Sequence, residues 1–74
     1  MMKMGGEINM AFGENLKRIR EDRNVTQQEL ADLTLTRQQT IQRYEAGYSV
    51  PNAVIACIIA KRLGVTVEEL VGMI

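Results

Sequence analysis

Residues 25–47 read V-T-Q-Q-E-L-A-D-L-T-L-T-R-Q-Q-T-I-Q-R-Y-E-A-G, and this stretch decides the fold. In V-T-Q-Q-E-L the Thr26 hydroxyl can accept from the Glu29 backbone N–H, the Glu29 carboxylate can reach back, and Val25 can staple onto Leu30. A helix therefore begins at Gln27 and ends near Leu33 or Thr34. A second helical segment runs up to Gly47, with Ile41 and Tyr44 spaced three apart as its inward face. Thr36 and Gln39 form a T-x-x-Q capping box, which starts this helix at Arg37.

Upstream, Phe12, Leu16 and Ile19 recur at intervals of four and three while Glu14, Lys17, Arg18, Glu21 and Asp22 take the other faces, so an amphipathic first helix leads up to Arg23. Asn24 tolerates the left-handed conformation that ends helices. Downstream, Pro51-Asn52 opens a fourth helix over 53–63, closed by Gly64. V-T-V-E-E-L then repeats the cap chemistry, with Thr66 and Glu69 as the box and Val65 and Leu70 as the staple, and a last helix starts at Val67. The expectation is an all-α, five-helix domain over 11–74, preceded by a loose tail over 1–10. Its second and third helices make a helix-turn-helix, a shape that alone is more often architecture than a nucleic-acid reader.

Seventy-four residues allow one small core and no second domain. The composition is 46% apolar and 24% charged, but Phe12, Tyr44 and Tyr48 are the only aromatic residues, so aliphatic side chains must fill that core. Histidine is absent, which removes the commonest general base and metal ligand, and no nucleophile, base and orienting group can be assembled. Neither catalysis nor a metal or other cofactor is expected. The single Cys57 sits among apolar neighbours and reads as a small core residue, with no need of an oxidising compartment. The apolar run over 53–60 is far shorter than the roughly twenty residues a bilayer needs, and the N-terminus lacks a signal-peptide core, so a soluble, cytoplasmic protein is expected.

F-G-E-N-L-K-R-I-R-E-D-R-N-V-T-Q-Q-E-L-A, then T-I-Q-R-Y-E-A-G, then L-G-V-T-V-E-E-L, in that order and spacing over about residues 12–71, resemble the Cro and phage-repressor type of helix-turn-helix domain, also called the xenobiotic-response-element type. The resemblance implies a transcriptional regulator, repressor-like, that binds double-stranded operator DNA through its second and third helices. It also implies that Arg20 pairs with Glu45, tying the first helix to the end of the third. Two positions depart from the family pattern. Leu35 stands where Gly is usual, at a residue that takes positive φ, so a rebuilt turn is expected. Arg37 stands where the third helix usually has its Ser or Thr cap.

An amide can donate and accept together, which suits it to N6 and N7 of adenine, so Gln38 and Gln39 at the start of the recognition helix, and Gln42 one turn on, are the base-reading candidates. Gln39 has the capping box as its competing role. Gln27, Arg37, Arg43 and Tyr48 are the candidates for phosphate. The zero net charge is softened by distribution: residues 33–62 carry Arg37, Arg43, Lys61 and Arg62 against Glu45 among acids, whereas Glu68 and Glu69 lie near the C-terminus. Binding by one copy is then modest and sensitive to salt. Val54, Ile55 and Ile58 replace residues that are usually polar in the family, and Val54 and Ile58 fall on one face, a candidate contact for a homodimer on a palindromic operator. A fourth helix buried on all sides is the competing reading. From another functional class, the rival is a protein-interaction module of the same fold that does not bind DNA.

Overall fold

The computed structural model describes residues 4–72, with side chains from Met10 onward. Five helices follow one another without strands among these residues: α1 (Met4–Asp22), α2 (Gln27–Leu33), α3 (Gln38–Ala46), α4 (Ala53–Leu63) and α5 (Val67–Val71). α1 starts well before Phe12, so residues 4–10 are helical where a loose tail was expected, and residues 1–3 lie outside the described part. The segment has no proline, and Glu7, Met10 and Ala11 are good helix formers. Extending a helix already nucleated on a core adds a hydrogen bond for each residue ordered, without a new nucleation cost.

Two of the three anticipated capping boxes are formed. Glu29 N–H donates to Thr26 Oγ1 at 3.0 Å and Thr26 N–H to Glu29 Oε1 at 2.8 Å; the same exchange joins Thr66 and Glu69 at 3.1 and 2.9 Å. Asn52 caps α4 by accepting from Ile55 N–H at 2.9 Å. Asn24 takes φ 57°, and Gly47 and Gly64 end α3 and α4 at φ 84° and 73°.

The core is aliphatic, with Leu16, Leu30, Ile41, Ile59 and Leu70 wholly buried and Phe12 meeting Tyr44 edge-on at 6.4 Å between ring centroids. α1 packs on α3 and α5, and α2 packs on α3. Asn15 links α1 to α5 by donating to the carbonyls of Glu69 and Leu70 at 2.6 and 2.7 Å. At Gly13 the backbones of α1 and α3 are so close that a Cβ would sit 2.5 Å from the Tyr44 carbonyl oxygen and 2.6 Å from that of Glu45. A glycine inside a helix costs about 1 kcal/mol relative to alanine, and here it admits the end of α3.

Two expectations about side chains on or before α4 need correction. Cys57 is exposed, not a core residue, because Ala56, Ile59, Ala60 and Leu63 supply the inward face of α4 and position 57 falls outside their arc. Nor is α4 buried on all sides: Val54 is 68% exposed, Ile58 is half-buried, and Ile55 leans against the core.

Candidate nucleic-acid interface

The turn between α2 and α3 sets where α3 begins. Leu35 occupies the left-handed region at φ 57°, so the turn keeps the backbone that glycine favours and is not rebuilt. Thr36 N–H donates to the Ala31 carbonyl at 2.9 Å, closing the end of α2 across that residue. Thr34 is buried; its hydroxyl donates to the Leu30 carbonyl at 2.8 Å and lies 3.0 Å from the Thr36 hydroxyl. These bonds explain how a leucine is held in a conformation that costs a Cβ-bearing residue roughly 1 kcal/mol or more.

The expected start at Arg37 is corrected by one residue. Arg37 is the N-cap, in extended conformation and without a side-chain cap bond, and α3 begins at Gln38. Thr36 turns toward Thr34 instead, so the T-x-x-Q box does not form and Gln39 is not spent on capping. With no side chain over the helix start, the first N–H groups of α3 remain open to an outside acceptor.

Ile41 and Tyr44 are the buried face of α3, whereas Gln38, Gln39 and Gln42 are exposed, and no hydrogen bond to another described residue engages their amides. Gln38 and Gln42 lie one turn apart on the same face. Arg37 and Arg43 are exposed at the two ends of this surface. Arg43 lies over the Tyr48 ring, its guanidinium carbon 5.6 Å from the centroid, and Tyr48 N–H donates to the Arg43 carbonyl at 3.0 Å. A stacked guanidinium is pre-oriented and keeps its N–H groups for an anion. Tyr48 itself is 71% exposed.

Arg20 meets Glu45 through two bonds, Nε to Oε2 at 2.6 Å and Nη2 to Oε1 at 3.0 Å, and its Nη1 donates to the Val25 carbonyl at 2.7 Å. Its hydrogen bond to Glu45 raises the Arg20 pKa above its already high ordinary value against the opposing effect of burial, so the guanidinium stays charged. Glu45 is thereby occupied inside the domain, leaving Arg37 and Arg43 as the charged side chains of the α3 surface. Gln27 Nε2 donates to Glu45 Oε1 at 2.9 Å, a contact not anticipated from the sequence. The spacing of eighteen residues between them gives no hint of this in sequence, because helix periodicity relates positions within one helix only.

A family model described as helix-turn-helix matches residues 16–70. The HTH-type transcriptional activator BcrR of Enterococcus faecalis is 34% identical over 63 residues, which make up 85% of this chain and 31% of BcrR, so the chain spans less than a third of that relative's length. The crystal structure of the restriction-modification controller protein C.AhdI from Aeromonas hydrophila superposes with a TM-score of 0.80 at 24% identity, covering 84% of this chain and 94% of that one. The clp gene regulator ClgR from Corynebacterium glutamicum does so with a TM-score of 0.82 at 23% identity, covering 86% of this chain and 82% of that one. At such identities the two structures speak for the all-α fold.

Proposed function

Because the chain belongs to the Cro and phage-repressor type of helix-turn-helix family, we propose that it is a sequence-specific DNA-binding transcriptional regulator, repressor-like, whose α3 reads the major groove. The observation that carries the proposal is the outer face of α3, where Gln38, Gln39 and Gln42 stand exposed and unengaged between Arg37 and Arg43. The amides of Gln38, Gln39 and Gln42 read base edges, and Arg37, Arg43 and Tyr48 hold phosphates. No helix among the described residues is long and apolar enough to cross a membrane, and we place the protein in the cytoplasm with its DNA. The helix-turn-helix family is not an enzyme family, and we assign no catalytic residue.

In vitro selection of duplex sites on the purified chain tests this reading. An enriched half-site whose binding weakens steeply with salt is the expected result; retention of all sequences alike overturns it.

We also propose a homodimer on a palindromic site, which supplies the affinity that a neutral monomer lacks. Val54 and Ile58 lie one turn apart on the open side of α4, and Ile58 shares a groove with Leu33, Leu35, Asp32 and Arg62. Sedimentation at micromolar concentration tests the contact: Ile58→Glu shifts a dimer to monomer, whereas a mass unchanged by the substitution eliminates the stripe. A second reading, a module of this fold that contacts protein and not DNA, is favoured by Leu35, which is 94% exposed beside that groove. The selection experiment separates the two.

A further inference from the structure

A phosphate-binding role for Gln27 leaves its strongest contact unexplained. A carboxylate has no hydrogen to give, so the bond to Glu45 forces the orientation of the amide: Nε2 faces Glu45 and Oε1 faces away. The Glu45 oxygen that takes this bond also accepts from Arg20 Nη2, and the other oxygen accepts from Arg20 Nε. The Glu45 side chain is 5% exposed and that of Arg20 9%, so these charge-assisted bonds lie out of solvent, where they are strong. One carboxylate on the last turn of α3 thus joins α1 through Arg20 and the first residue of α2 through Gln27.

A nine-residue helix is a rod about 13 Å long, and its direction is set by what holds each end. The turn at Thr34 and Thr36 holds the start of α3, and Glu45 holds the finish. Recognition geometry tolerates about 0.5 Å, so a small swing at Glu45 is enough to misplace the glutamines. We propose that Gln27 is a positioning residue that sets the direction of α3 through Glu45, so that it contributes to sequence discrimination without reaching a base. The proposal rests on the DNA-reading function above.

The test compares wild type, Gln27→Met, Glu45→Gln and the double variant on the selected site and on random duplex. Gln27→Met keeps the length and removes the donor. Its affinity for the selected site falls about tenfold, while random duplex is held within about twofold of wild type. In the Glu45→Gln background the same substitution costs much less, because the contact it acts through is already altered. Equal losses on both DNAs make Gln27 a phosphate ligand and overturn the proposal, as do losses that simply add. Should Gln27→Met fail to fold, Gln27→Asn, one methylene too short to span the contact, takes its place. Should Glu45→Gln fail, backbone amide shifts of the free Gln27 variant decide: changes along 38–44 support positioning, and changes confined to Gln27 and its neighbours overturn it. A wild-type chain that enriches no site ends the DNA reading and this proposal together, whereas an enriched site with equal losses ends the proposal alone.

Discussion

At its first turn α3 is bare and at its last it is anchored. The start has Arg37 as a cap without a side-chain bond, a strained and exposed Leu35 just before it, and three exposed glutamine amides. The finish has Glu45 bonded to Arg20 and Gln27, Tyr44 buried against Phe12, Gly13 of α1 in close approach, and a left-handed Gly47. A reading helix has to leave its polar groups unsatisfied for the DNA while keeping its direction, and these demands conflict at any single point. The molecule separates them along the helix, with the exposed amides proposed to read DNA toward one end and the anchoring contacts at the other.

The anchored end carries the largest expected effect. Glu45→Ala strands the buried Arg20 guanidinium and costs about 3 to 5 kcal/mol, read as a lower denaturation midpoint, with DNA binding impaired although no base contact is touched. An unchanged midpoint with intact binding breaks the comparison there. Gly13→Ala forces a Cβ against the Tyr44 and Glu45 carbonyls; overpacking of that kind costs about 1 to 3 kcal/mol, partly offset by the better helix propensity of alanine. A stability equal to or above wild type shows that α3 has room to shift.

The reading end should respond in specificity more than in stability. Gln38→Ala is expected to lose about 1 to 3 kcal/mol on the selected site and to relax choice at one base pair, whereas Arg43→Ala weakens all sequences alike and flattens the salt slope. Equal losses on specific and random DNA remove Gln38 from base reading. Leu35→Gly relieves a left-handed leucine, and because the unfolded chain gains freedom at the same time, the midpoint rises by less than about 1 kcal/mol in equivalent stability. A fall in the midpoint shows that the leucine side chain stabilises the turn.

The smallest effect is alkaline. Burial raises the Tyr44 phenol above its ordinary value. A phenol whose folded pKa is raised stabilises fully below its unfolded value of about 10 and loses that contribution as pH rises through the folded pKa. Denaturation midpoints of wild type should therefore decline above about pH 10 more than those of Tyr44→Phe. Parallel curves for the two proteins refute the assignment.

Local chemistry was legible where a cap had no competing partner. Thr26 with Glu29, Thr66 with Glu69, and Asn24 and Gly64 at helix ends declare themselves within a few residues, because a cap is closed by neighbours in the chain. The Arg20–Glu45 pair was anticipated through the family resemblance, and both of its bonds are present. Where a local signal had a competitor, it misled: the box at Thr36 and Gln39 is a sound cap in isolation, but the Thr36 hydroxyl meets Thr34, whose position is decided by burial at the end of α2. The hydrophobic surroundings of Cys57 misled similarly, since a run of apolar residues does not say which arc of α4 faces inward.

The sequence by itself determined the presence of the helices after the first and the capping boxes that begin α2 and α5, because backbone hydrogen bonding and side-chain chemistry are settled over a few residues. Tertiary structure alone decided the early start of α1, the Gln38 start of α3, the outward side of α4, the close approach at Gly13 and the bond from Gln27 to Glu45. Each of the last three depends on elements far apart in the chain arriving at one place, whereas the start of α3 follows from Thr36 meeting Thr34 across the turn; no spacing within a single helix records either.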